Sequence, residues 1–220
     1  MRAVADLAAI PPKFVRKERI VCDVQIFAGE MYPIMAHNAT AEDFVMAKEH
    51  QDLWGPIHEL GHNQQRGCWE FPPHTTDAAN NLWSVYVEET VLKIPRDMLC
   101  FVRCLKSGIE PLSVCTFTLT SVCTFTRTFN SHCYFGLVLQ LQENFGWHCI
   151  KSVFGTYHKI KDVPSDNKGQ MNLYCVTFSE TVRMVLTRFF KTRLSILLAW
   201  TGPLKHLTSV IANKGYCTKY

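Results

Sequence analysis

The sequence is short of the features that place a chain in a membrane, in a secretory route or on nucleic acid. No window approaches the roughly 18–20 apolar residues of a membrane span. Leu194 to Trp200 is the longest candidate and falls far short. The N-terminal MRAVADLAAIPPK has an apolar run interrupted by Asp6, too brief for a secretory signal. No Gly-rich phosphate loop or nucleic-acid module is recognisable, so no nucleic-acid partner is expected. None of the 10 cysteines forms a C-x-x-C pair, which leaves a cysteine-based zinc site without a framework. A cytoplasmic location follows as the expectation, peripheral at the plasma membrane if a membrane protein is the partner. The cysteines, Cys100 and Cys104 among them, are then expected to be free thiols.

What is present is enough for one domain with a real core, since the chain has 220 residues. The net charge of +4 conceals an asymmetry. Residues 1–100 carry 9 Lys+Arg against 14 Asp+Glu, giving −5, and residues 101–220 carry 14 against 5, giving +9. A basic C-terminal half can serve an acidic partner or simply form a solvated surface. Within it, RMVLTRFFKTRLSILLAW reads as an amphipathic basic helix, either for a membrane face or as a core helix with snorkelling arginines.

The chain is organised around WGPIHELGHNQQR at 54–66, which contains H-E-x-x-H as His58, Glu59, Leu60, Gly61 and His62. On a helix, positions four apart share a face, so the two imidazoles can serve one zinc ion. Glu59 stands about 100° further round, placed to take a proton from a water without ligating the metal itself. The motif would arise by chance about 0.02 times in a chain of this composition. Pro56 is tolerated in a first turn, and Leu53, Trp54, Ile57 and Leu60 supply a packing face. The competing reading is a buried helix whose histidines only hydrogen-bond.

Around this motif the patterning predicts a helix end over 3–9 closed by Pro11-Pro12, and a strand over 19–27 with Ile20, Cys22, Val24 and Ile26 on one side. A short helix over 41–50 should lead into the motif helix at 53–66. After a Pro72-Pro73 loop, Thr75 or Thr76 can cap a helix over 77–93, with Leu82, Val85, Tyr86, Val91 and Leu92 as its apolar stripe and Pro95 as its stop. Residues 98–134 are Cys/Thr-rich, with SVCTFT at 113–118 and again at 121–126. Two copies are too few for a solenoid. Helical character returns from Tyr134 to about Lys161, then after the loop VPSDNKGQ near 171–182 and 183–200. The divisions expected are 1–97 with the zinc motif, 98–134 as a divergent insertion, 135–200 as a helical subdomain and 201–220 as a tail open to disorder.

A catalytic zinc takes three protein ligands and leaves one position open. Asp77, in the first turn of the next helix, is the leading third ligand, and the helix dipole favours an anion there. Stabilising the helix N-terminus is its alternative role. Glu88 is a rival about 16 Å further along that helix, and Glu70 and His74 lie on the Pro-rich loop between. A tetrahedral oxyanion needs a donor, for which Tyr86 and His74 are candidates. The strand at 20–27 is a candidate edge for an extended peptide.

The run GPIHELGHNQQR, followed by WEFPPHTT, NLWSVYV, ETVL and IP, resembles the enhancin-like metallopeptidases. More closely it is similar to the vertebrate channel-associated factors, which bind melastatin-type transient receptor potential channels. ERIVCDVQI, YPIM, LQLQ-NFGW and D-N-x-G-x-MNL fit the same group. The resemblance covers about 3–96 and 137–190. It implies an α+β, gluzincin-like zinc metallopeptidase domain with a mixed sheet, an H-E-x-x-H helix and a mostly helical subdomain. His58 and His62 match its zinc histidines and Glu59 its catalytic glutamate. Bacterial and viral relatives cleave mucin-like glycoproteins; the vertebrate group regulates channel surface delivery and gating.

The departures are specific. Asp77 stands in TTDA where the pattern has Glu in TTEA, one methylene shorter for a bond of roughly 2.0–2.2 Å. The turn GEMYPIM is shortened, residues 98–134 and the tail fall outside the resemblance, and Met1 falls part-way into the domain. The chain thus reads as a fragment or a divergent, spliced copy. Three functions follow as expectations: a channel regulator acting by binding, an active zinc peptidase on peptides or glycoproteins, or a degraded copy without activity.

Overall fold

A computed structural model describes residues 2–10, 17–22, 33–36, 41–42, 46, 53–70, 75–99 and 129–198, with backbone alone for 129–133 and 193–198. The described elements are mostly helical, with one two-stranded parallel sheet, the composition of an α+β domain. No helix among the described residues is long and apolar enough to cross a membrane. The chain divides into two units, one of residues 1–65 with 80–127 and the other of 66–79 with 128–220.

The first unit begins with α1 (Arg2–Leu7), whose Val4, Ala5 and Leu7 are buried. Ala9 adopts the left-handed conformation at φ 56° and turns the chain out of the helix before Pro11. Strand β1 (Ile20–Cys22) pairs in parallel with β2 (Ile34–Ala36) in the register Ile20↔Ile34, Val21↔Met35 and Cys22↔Ala36. Ile34 and Ala36 are buried. Cys22 is exposed, which corrects the expected apolar side of this strand at that position. The rest of the 19–27 strand lies outside the described residues, and of the helix expected at 41–50 only Ala41, Glu42 and Met46 are described, all helical.

The motif helix α2 (Trp54–His62) is shorter than the expected 53–66. It stops because the N–H groups of Gln64 and Gln65 both turn back to the carbonyl of Gly61, at 2.8 and 3.0 Å. α1 and β2 both touch α2. The next helix, α3 (Thr76–Thr90), ends three residues before the expected 93. Lys93 is left-handed at φ 59°, and its ammonium donates to the Thr90 carbonyl, capping the orphaned end at 2.8 Å. Val91, expected in the apolar stripe, is therefore outside the helix and exposed, while Leu82, Val85 and Tyr86 are buried. A short 3-10 turn at Arg96–Met98 follows, with the Arg96 guanidinium gripping Glu89 in a two-pronged ion pair.

In the second unit, α4 (Phe129–Tyr157), α5 (Asn167–Val182) and α6 (Thr187–Leu198) pack together around a 3-10 turn at Gly67–Trp69. α4 bends at Gly146, whose φ of 76° only glycine holds without strain. Trp69 packs on Phe154 with ring centroids 4.0 Å apart, and Phe178 meets both Tyr174 and Phe190. Burial pushes the Tyr134, Tyr174 and Cys175 protons well above their ordinary values, and holds Cys149 at about 11. The Cys68 thiol is raised too, by burial, with the Arg66 cation pulling the other way.

α5 starts at Asn167 rather than near 171, because Asp166 accepts from the Gly169 N–H at 2.9 Å and caps the helix earlier. A side chain at Gly169 would press into Pro164 Cβ at 2.5 Å, which accounts for the glycine in D-N-x-G. α5 ends where Arg183 turns left-handed and its N–H meets the carbonyls of Glu180 and Ser179. α6 therefore starts at Thr187 instead of 183, with Phe190 fully buried. The duplicated SVCTFT segments, Cys100, Cys104 and the tail after 201 lie outside the described residues.

Candidate metal centre

α2 and α3 carry the site, and their contact explains much of the local sequence. Gly61 lets the helices touch: a Cβ there would overlap the Asn80 side-chain oxygen and reach within 3.1 Å of Trp83 Cβ. Asn80 donates its side-chain N–H to the His58 carbonyl, and Ser84 Oγ donates to the Trp54 carbonyl at 3.0 Å. Trp83 ties the pair to α1 by donating Nε1–H to the Val4 carbonyl at 2.9 Å. Asn80, Asn81 and Ser84 are all buried. Sequence reasoning missed these three; the available signal was a pair of asparagines inside a helix, where their propensity is poor.

His58 and His62 project from successive turns with ring centroids 4.8 Å apart and planes at 87°. Each ring has an amide oxygen at its Nδ1. Asn81 Oδ1 lies 2.8 Å from His58 Nδ1, and Gln65 Oε1 lies 2.7 Å from His62 Nδ1. An ion would then be met by Nε2 of each ring. Asp77 sits one turn before Asn80 and Asn81 on the same unbroken helix, so α3 carries its carboxylate with the residues that clamp α2.

His58, His62 and Asp77 each offer a donor atom, and the three atoms lie within 4.8 Å of one another. Bonds of about 2.0–2.2 Å at tetrahedral angles set donors about 3.3–3.6 Å apart, within reach of small side-chain rotations. Two imidazole nitrogens and one carboxylate form a donor set that suits zinc and leaves a fourth position open. His58 is buried and His62 and Asp77 are half-buried, so one side of the group is accessible. Glu59 follows His58 on α2 and is buried.

Of the other residues named from the sequence, Tyr86, Glu88 and Glu70 are described. Tyr86 donates its hydroxyl to Asp6 Oδ2 at 2.5 Å, nine residues along α3 from Asp77 and so about 13 Å of rise away. Glu88 is buried two residues further on and is not among the converging donors. Glu70 accepts from Thr76 Oγ1 at 2.9 Å, beside the start of α3. His74 lies outside the described residues.

Comparison with known proteins gives a consistent picture. The family model described as "Peptidase M60, enhancin and enhancin-like" matches residues 1–193. The zebrafish (Danio rerio) TRPM8 channel-associated factor homolog is 44% identical over 223 residues, covering 93% of this chain and 22% of its own length. TRPM8 channel-associated factor 2 of Bos taurus is 43% identical over 226 residues, covering 96% of this chain and 23% of its own length. The Homo sapiens factor 2 is 44% identical over 218 residues, with 93% and 22% covered. The chain thus spans about a fifth of the length of these relatives. No solved structure matches it.

Proposed function

The chain belongs to the peptidase M60, enhancin and enhancin-like family, and from that premise we propose that it is a zinc-holding, peptidase-like domain serving a channel-associated factor. The observation carrying the metal half is the convergence of His58, His62 and Asp77 within 4.8 Å. The channel half is supported by relatives named for association with TRPM8. In this reading the domain has a gluzincin-type catalytic arrangement, binds a melastatin-type channel at the cytoplasmic face of the plasma membrane, and regulates its surface delivery or gating.

A second reading, hydrolysis of peptide or glycoprotein bonds, is favoured by the intact H-E-L-G-H and by the burial of Glu59 beside His58. Zinc held there by His58, His62 and Asp77 would supply a more acidic water and a polarised carbonyl. The Glu59 carboxylate then takes the proton of the attacking water and returns it to the leaving amine. His58 and His62 are oriented through their Nδ1 contacts, and Asp77 would contribute the negative charge.

One experiment separates the two. The chain and its Glu59→Gln variant are compared for co-precipitation with TRPM8 and for cleavage of a glycopeptide. Equal co-precipitation by both, with no cleavage by either, is the result expected of a binding role. Cleavage by the wild type that Glu59→Gln abolishes would make the protein an enzyme, and failure to co-precipitate would remove the channel assignment.

A further inference from the structure

We propose that Asn81 is a positioning residue that holds His58 in one tautomer, proton on Nδ1 and lone pair on Nε2, before any ion arrives. The inference rests on the reading of His58 as a metal ligand, and it reaches a residue that the motif does not contain.

The chain of contacts starts at Trp54. An indole N–H can only donate. Trp54 Nε1 donates to Asn81 Oδ1 at 3.2 Å, so the end of the Asn81 amide facing the indole is its oxygen. Rotating the amide would set N–H against N–H in a buried place. That same oxygen lies 2.8 Å from His58 Nδ1. An amide oxygen can only accept, so Nδ1 must carry the proton, and a neutral imidazole has only one. In the neutral ring the lone pair is therefore on Nε2, the nitrogen an ion would take.

Two further observations support this. Trp54, His58 and Asn81 are exposed by 3%, 3% and 1%, so water cannot readily replace any member of the chain. Asn81 Nδ2 has no hydrogen-bond partner among the described residues. The amide thus keeps an orientation that leaves its own donor unused, as expected where the oxygen's two acceptor bonds decide the matter. A histidine free in water favours the opposite tautomer, with the proton on Nε2, so the Trp54–Asn81 pair acts against the ring's own preference. Trp54, His58 and Asn81 all lie within one unit.

The test is long-range 1H–15N NMR of the imidazoles in the metal-free 220-residue chain, under mildly alkaline conditions, followed by titration with zinc ions. Wild type should show His58 protonated on Nδ1. Asn81→Leu should move His58 to the Nε2–H tautomer, leave the His62 pattern in place, and weaken zinc about 10- to 100-fold. Asn81→Asp, whose carboxylate accepts from both donors, should restore the tautomer and the affinity. Ser84→Ala removes a different α2–α3 bond and should change neither. The proposal is overturned if wild-type His58 carries its proton on Nε2, if Asn81→Leu leaves the tautomer unchanged, or if Ser84→Ala weakens zinc as much as Asn81→Leu. If the tautomers behave as stated but the wild type takes up no zinc, the positioning role stands and the metal-site reading falls.

Discussion

Gly61→Ala should destabilise the protein although alanine is the better helix former. In an open helix the substitution gains about 1 kcal/mol. At Gly61 the new Cβ overlaps the Asn80 side-chain oxygen and comes within 3.0 Å of Asn80 Cγ and 3.1 Å of Trp83 Cβ. Asn80 is fully buried and cannot swing aside without releasing the His58 carbonyl. Overpacking costs about 1–3 kcal/mol, and the lost hydrogen bond about 1 kcal/mol more. After the propensity gain the net loss is about 1–3 kcal/mol. At about 2–4 °C per kcal/mol for a chain of this size, Tm should fall by about 2–12 °C. Gly136 is the internal comparison, since a Cβ there meets nothing within 4 Å among the described residues. Gly136→Ala should stabilise by about 0.5–1 kcal/mol. Thermal melts followed by circular dichroism read both. A Gly61→Ala variant as stable as wild type, or shifted in the same direction as Gly136→Ala, would refute the close approach of α2 and α3.

Other outcomes follow from the same structure. Asp77→Glu lengthens the carboxylate by a methylene and should tighten zinc, while Asp77→Ala should weaken it; competition against a chelating dye reads both. Asp166→Ala removes the cap on α5 and should cost about 0.5–2 kcal/mol in urea melts. Burial raises Cys149 from 9.0 to about 11. The unfolded chain therefore loses this proton first, so stability should be intact below pH 9 and fall as pH rises towards 11. Cys149→Ala should flatten that slope.

Legibility differed sharply between elements. α2 was readable because its chemistry is compressed into five residues, but its length was not. The early stop depends on the Gln64 and Gln65 N–H groups returning to Gly61, and apolar spacing carries no trace of that. α3 was recognisable from its stripe, yet Val91 falls just past the helix end at Thr90, in the turn that leads to the left-handed Lys93. The starts of α5 and α6 were misplaced by about four residues, the first because Asp166 was read as loop rather than cap. Tyr86 illustrates the limit for the site: its hydroxyl is within reach of many groups in principle, and only the packing of α1 shows that it meets Asp6. Asn81 was missed for the opposite reason. A polar residue inside a helix looks like a defect until its neighbours on α2 are in view.

The central claim is that one zinc ion is held by His58, His62 and Asp77. Its most direct test is the zinc content of the purified chain by elemental analysis, beside His58→Ala and Asp77→Ala. One ion per chain in the wild type, lost in His58→Ala and diminished in Asp77→Ala, is the predicted result. A wild type without zinc, or zinc retained in full by both variants, would contradict it.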